Sequence, residues 1–234
     1  MIARIADLKV EIPTAGDLVP RCAEYICENE TGADIIIRTD SFSDNVLNLD
    51  ENLRIYLESG TQFYGNLLRF NGMMIHASAV SVEDKAYLFS GDCGAGKSTH
   101  TRIWRNTFGD HAKVFNDDKP ALRCLDDTWY AYGTPWCGKD GININMKVPL
   151  AGICFLKQGT QNSIRRLSDV ESVQRILKQT IYRLRARENM DLLLTHVDKL
   201  VRMIPVFELE NRPESEAAYL SYETMRSAAE ELRL

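Results

Sequence analysis

Between residues 73 and 132 the chain passes through apolar and β-branched stretches set too close together for helices to fit between most of them. Residues 73–82 and 86–89 are separated only by the polar Glu83-Asp84-Lys85, and residues 121–125 and 128–132 only by Asp126-Asp127. Parallel neighbours need a crossover of about a dozen residues, whereas antiparallel ones need only a turn. These two hairpins argue against a doubly wound sheet, in which strand and helix alternate. They predict an α+β fold: a mixed, largely antiparallel sheet with helices gathered beside it.

The flanks fill in around that centre. Residues 4–12 alternate loosely and read as an edge strand stopped by Pro13, residues 18–27 as a short helix, and residues 33–38 as a strand. Asp50 caps a helix reaching about Phe70, with Leu53, Tyr56, Leu57, Tyr64, Leu67 and Leu68 on its apolar face. Gly60 and Gly65 weaken its middle, and Gly72 lies beyond its end. Residues 113–116 form a strand; residues 151–157 form another, with 163–167 as its partner. Ser168 and Glu171 make a capping box for a helix to about Leu184. A helix over 190–203, a strand over 205–209 and an amphipathic helix over 215–234 complete the chain. No repeat or linker divides it, so residues 1–234 are read as one domain, with 1–70 as a candidate N-terminal lobe.

Composition narrows the partners. A chain of 234 residues with 44% apolar and 26% charged side chains has the make-up of a soluble domain that can bury a full core. Its net charge of −5 offers no basic field to recruit nucleic acid. No apolar run approaches a membrane span, and the charges within residues 1–7 do not suit a signal peptide. Six cysteines with no C-x-x-C pair fit a reducing cytoplasm, and Cys22 and Cys27 read as packing residues.

One stretch carries a specific chemistry. Gly91, Gly96, Lys97 and Ser98 occupy every fixed position of the phosphate-binding pattern G-x-x-x-x-G-K-[ST]. A buried strand precedes them and residues 99–108 read as a helix, with Ile103, Trp104 and Phe108 as its apolar positions. Glycines let successive N–H groups point inward at an anion, and the helix start adds partial positive charge. Gly91, Asp92, Cys93, Gly94, Ala95, Gly96, Lys97, Ser98 and Thr99 are therefore the expected nucleotide cradle, with Lys97 reaching the outer phosphates and Ser98 offering its hydroxyl to Mg²⁺.

Asn116-Asp117-Asp118-Lys119 closes the 113–116 strand. Asp117 and Asp118 read either as a solvated turn or as a divided pair, one holding metal and one accepting a proton. His76 lies in the strand paired with the one entering the loop. It reads either as a satisfied core residue or as a group beside the phosphates. Residues 133–141 carry Trp136 and Lys139 among glycines and a proline; Trp136 reads as an anchor, and Lys139 as a cation for the transferring group. Tyr132 and Trp136 read equally as packing or as a platform for adenine. Arg183, Arg185 and Arg187 read as a surface helix end.

In their order, these segments resemble the kinase domain of HPr kinase/phosphorylase and, more distantly, the nucleotide core of phosphoenolpyruvate carboxykinase. The residues concerned are Ile75-His76-Ala77-Ser78-Ala79, Gly91 to His100, Asn116-Asp117-Asp118-Lys119-Pro120, and Gly133-Thr134-Pro135-Trp136-Cys137-Gly138-Lys139. Residues of about 53–157 carry the likeness, which is nearest to small HPr-kinase-like proteins of bacteria. The resemblance implies a mixed-sheet kinase with ATP and Mg²⁺. In it Lys97 binds phosphate, Ser98 and one of Asp117 and Asp118 hold metal, the other acid is the base, and His76 sits near the phosphates. The family has a glutamate after its loop serine, where this chain has Thr99, and no loop for gripping HPr is recognised here. Small relatives of this kind occur beside peptide-maturation genes, where a peptide serine would be the acceptor. The expected activity is phosphoryl transfer to a hydroxyl of a peptide, protein or small metabolite. A nucleotide-binding scaffold or sensor and an ATP hydrolase or phosphorylase are the alternatives, and homo-oligomerisation is left open.

Overall fold

The computed structural model describes residues 1–27, 30–42, 48–180 and 187–232. The chain opens with a hairpin of β1 (Ile2–Ile5) and β2 (Leu8–Glu11). Positive φ at Ala6 and Asp7 makes the two-residue turn that divides the single strand expected over 4–12. A one-turn helix, α1 (Leu18–Arg21), and a 3₁₀ turn stand where one helix was expected. β3 (Ile35–Ile36), shorter than its predicted span, joins β2 in parallel and completes a three-stranded sheet.

α2 (Glu51–Leu67) starts where the Asp50 carboxylate accepts the Asn52 N–H. It buries Ile55, Ser59, Gly60, Phe63, Tyr64 and Leu67, while Leu53 and Leu57, expected on that face, are 45% and 39% exposed. The packed stripe lies elsewhere because Trp136 docks on it: its indole N–H donates to Ser59 Oγ at 3.0 Å, and its ring stacks on Phe63. Asn71, with φ of 55°, ends this segment, and Gly72 belongs instead to β4 (Gly72–Met74). β4 and β5 (Ala77–Val82) replace the continuous strand expected over 73–82. β6 (Lys85–Ser90) returns through a Glu83-Asp84 turn, as its hairpin reading required.

Then follow α3 (Lys97–Phe108), β7 (Lys113–Asn116), β8 (Ala121–Leu125), β9 (Thr128–Tyr132) and the long β10 (Lys147–Gln158). β11 (Ser163–Arg166), α4 (Asp169–Lys178), α5 (Arg187–Met203), β12 (Val206–Asn211) and α6 (Ser215–Glu231) complete the order. The Ser168–Glu171 capping box is present, and α4 stops at Lys178. The remainder of its expected span, including Arg183, lies outside the described residues, as does Arg185; Arg187 opens α5.

The larger sheet runs β4-β8-β9-β10-β6-β5-β7, with β12 on β10 and β11 on β12. β10 pairs with β9 over Lys147–Pro149, in parallel with β6 from Leu150 on, across an irregularity between Leu150 and Gly152, and in parallel with β12 from Ile153. All its other ladders are antiparallel, so the sheet is mixed and largely antiparallel, as expected. β11 pairs with β12 and not with β10, its expected partner, because β12 is inserted between them.

Helices cover both faces of this sheet, where the sequence placed them beside it. Tyr87 and Phe89 of β6 pack with Trp104 of α3 and with Tyr222 and Met225 of α6. Ala86 and Leu88 share the opposite core with Ile176 of α4 and Val197 and Leu200 of α5. Alternation along one strand thus supplies two helix layers. The third cluster joins β1, β2 and α2 to Met74, Ala121, Tyr132 and Trp136. Residues 1–70 therefore have their own small sheet but share a core with the larger one.

Two stability effects follow. A Cβ at Gly65 would meet nothing within 4 Å, whereas one at Gly60 would lie 3.0 Å from a Trp136 ring that is fully buried and pinned between Ser59 and Phe63. In urea melts, Gly65→Ala should stabilise by about 0.5–1 kcal/mol, and Gly60→Ala should destabilise despite the same gain in helix propensity. His100 is buried between α3 and α6; its Nε2 accepts the Trp104 indole N–H at 3.1 Å, and burial pushes its pKa from 6.5 down to about 4. The neutral ring is the folded form, so this contribution is complete above pH 6.5 and is lost as pH falls towards 4. The loss should be on the order of 3 kcal/mol, and His100→Asn should remove that part of the pH dependence.

Candidate active site

Strand register brings the chemistry-bearing segments together. β5 lies between β6 and β7 and is antiparallel to both. The start of β5 therefore faces the ends of its two neighbours: Ala77 pairs with Ser90, and Ala79 with Asn116. His76, immediately before β5, donates its N–H to the Gln179 carbonyl at 2.6 Å and accepts Ser90 Oγ at 2.8 Å through its own carbonyl. The Ala77 N–H donates to the Asp118 carbonyl at 3.0 Å. The end of β6, residues 76–77 and the turn after β7 thus meet at one end of the sheet.

β6 runs directly into the glycine loop. Gly91, Gly94 and Gly96 have φ of 144°, 81° and 97°, in the region that favours glycine, and Gly96 sits immediately before α3. The Lys97 ammonium folds back onto the loop, donating to the carbonyls of Gly91 at 2.9 Å and Asp92 at 3.3 Å. Burial lowers the Lys97 pKa, and the charge of Asp118 works against that shift. Two glutamines brace the loop from outside: Gln158 donates to the Gly94 carbonyl at 2.9 Å, and Gln179 to Asp92 Oδ1 at 3.2 Å. Cys93 and Ser98 are exposed, Ala95 and Thr99 partly so.

The two acids part company. Asn116 Oδ1 accepts the N–H groups of Asp118 and Lys119, at 3.1 and 2.8 Å, and so turns the chain sharply after β7. Asp118 Oδ1 then lies 2.9 Å from His76 Nε2, and Oδ2 takes the ammonium of Lys119. Burial alone would raise the Asp118 pKa; the His76 hydrogen bond and the Lys119 charge outweigh it and hold the carboxyl at about 2. Asp117 instead enters the 133–141 loop, where Oδ1 accepts the Gly138 N–H at 2.6 Å. Only glycine allows that approach, since a Cβ at 138 would stand 2.9 Å from Asp117 Oδ2. Burial raises the Asp117 pKa, with the Gly138 hydrogen bond opposing it. Lys139, one residue on, is exposed and has no ion pair among the described residues.

The N-terminal segments hold this arrangement from behind. Tyr56 of α2 donates to the Cys137 carbonyl at 2.7 Å and accepts from Lys119 Nζ at 3.3 Å. Arg21 of α1 donates to the Cys137 carbonyl at 3.0 Å and lies over the Tyr56 ring. Tyr64 donates to the Lys119 carbonyl and meets Thr134 Oγ1 at 3.0 Å. Trp136 is fully buried and Tyr132 nearly so, its hydroxyl donating to Asp7 at 2.7 Å; both are core residues with no open face for adenine. Sequence reasoning singled out His76, the loop and the acids, which the strand register brings to one end of the sheet; it gave no role to Lys119 and did not single out Arg21, Tyr56 or Gln179 for the site. Lys119 adjoined the acids, a usable signal; Tyr56 and Arg21 act 81 and 116 residues from their partner Cys137 and left none.

Among the described residues no three His, Cys, Asp or Glu side chains gather into a metal cage. Mg²⁺ on a nucleotide needs only one or two protein ligands besides phosphate oxygens and water. The exposed Ser98 hydroxyl and the 117–118 carboxylates are compatible with that smaller requirement.

No family model matches the chain, and neither does any curated protein. Among solved structures it is similar to the HPr(Ser) kinase/phosphatase of Coxiella burnetii, with 10% identity over 67% of this chain and 98% of that one. The TM-score of 0.39 marks a distant similarity.

Proposed function

We propose that the protein is a Mg²⁺-ATP-dependent phosphotransferase that moves the γ-phosphoryl group to a hydroxyl, that of a serine foremost, of a peptide, protein or small metabolite. The observation that carries this reading is the convergence of Lys97, Asp118 and His76 at one end of the sheet, with the charge of Asp118 felt at Lys97. In this reading residues 91–99 cradle the phosphates, and Lys97 leaves the carbonyls of Gly91 and Asp92 to meet them. Ser98 and a carboxylate of the 117–118 pair would hold Mg²⁺, which neutralises charge on the phosphate oxygens. Asp117, through Gly138, orients the loop that presents Lys139 as a cation for the transferring group.

The test is transfer of label from γ-labelled ATP with Mg²⁺ to serine-bearing peptides and proteins. Label should reach an acceptor, Lys97→Ala should lose nucleotide binding, and Asp118→Asn should bind nucleotide but transfer about 10²–10⁴-fold more slowly. Tight nucleotide binding with no transfer to any acceptor or to water would instead identify a nucleotide-binding scaffold. Release of phosphate without an acceptor would identify a hydrolase.

A further inference from the structure

We propose that Gln179 is a positioning residue for the nucleotide: it holds the Asp92 carboxylate outside the glycine loop and so keeps the loop's N–H groups free for phosphate, a role that rests on the phosphate cradle of the phosphotransferase reading. Asp92 is the one acid among residues 91–99. Its carboxylate has the same sign as the phosphates the loop is to receive, and its charge is felt at Lys97. Aspartate side chains tend to accept the N–H two residues further along their own chain. For Asp92 that donor is the N–H of Gly94, in the middle of the cradle. Turned inward, the carboxylate would occupy a donor that phosphate needs and would repel the phosphate besides.

In the structure the carboxylate is turned outward. Oδ1 accepts the Gln179 side-chain amide at 3.2 Å, and because an ionised carboxylate can only accept, the donor is Nε2. The backbone of Asp92 is occupied separately, its carbonyl accepting the Ala95 N–H at 3.0 Å and the Lys97 ammonium at 3.3 Å. Its side chain is therefore the part whose direction Gln179 decides.

Gln179 is itself held firmly. It caps the C-terminus of α4, its N–H donating at 3.0 Å to the carbonyl of Ile176, which is fully buried. Its own carbonyl accepts the His76 N–H at 2.6 Å, just before β5. Carbonyls at a helix end carry partial negative charge. The His76 N–H satisfies this one, and what α4 offers to Asp92 is the amide donor. α4 is secured further up by the Ser168–Glu171 capping box and by the Arg175–Glu208 pair. An exposed hydrogen bond adds little to stability, but one made from a fixed backbone can set which way a neighbouring charge points.

ADP binding is the readout, by calorimetry with Mg²⁺ and again in EDTA, where no metal links the carboxylates to the phosphates. At low salt Gln179→Ala should weaken ADP binding about tenfold, and the loss should shrink as ionic strength rises. In the Asp92→Ala background the same substitution should change binding by less than about twofold, because no carboxylate remains to swing inward. The cycle stays decisive even where Gln179→Ala lowers the urea midpoint, since loosened packing would weaken binding equally in both backgrounds. Equal loss in the two backgrounds, or no loss in either, would overturn the role of Gln179 and leave the phosphotransferase reading standing. The expected cycle in a protein that never transfers phosphate would overturn that reading alone. A wild type that binds no ADP under either condition would overturn both.

Discussion

The site depends on the placement of β5 between two antiparallel neighbours. An antiparallel ladder sets the beginning of one strand against the end of the next. With β6 on one side and β7 on the other, the residue preceding β5 is set between the glycine loop and the acids. Parallel connections would have needed crossovers and would have put the three strand beginnings at one end and their exits at the other. The turn at Glu83-Asp84, with both residues at positive φ, fixes the first of these registers. A slip of one residue there would turn Tyr87 and Phe89 out of the α3–α6 core and would also move His76 away from Asp118.

Two adjacent carboxylates share one turn yet are driven in opposite directions. Asn116 is fully buried, and its side-chain oxygen holds the N–H groups of residues 118 and 119, so the chain bends at once. Asp118 emerges facing His76 and Lys119, which overcome the cost of burying its charge. Asp117 emerges facing backbone N–H groups alone, that of Gly138 and its own, which do not. The difference lies in the number and charge of donors, since burial pushes both acids the same way.

Much of this was legible in the sequence because it is local. The polar turns marked both hairpins, the Ser168–Glu171 spacing marked a real capping box, and the glycine pattern marked the loop before α3. What escaped was set by distant partners. Leu53 and Leu57 satisfy helical periodicity, yet the buried stripe of α2 follows Trp136, which arrives from far along the chain. The pairing of 163–166 looked settled by proximity to 151–157, but β12 supplies the parallel neighbour that β10 accepts on that side. Tyr56 could be placed on a helix from sequence, but nothing local says that its hydroxyl meets Lys119.

The N-terminal seventy residues gain a role from this geometry. Loop 133–141 has little regular structure of its own, and a loop of that kind orders only when enough partners offset the entropy it loses. Trp136 supplies apolar burial against Phe63 and Tyr64, and Arg21 and Tyr56 both satisfy the Cys137 carbonyl. That carbonyl directly precedes Gly138, whose N–H holds Asp117, so α1 and α2 determine where this acid points. The same Tyr56 reaches Lys119 and, through it, Asp118. Both acids are therefore oriented by segments outside the strand–loop–helix unit, and that unit alone would carry the glycine loop without fixing the groups opposite it.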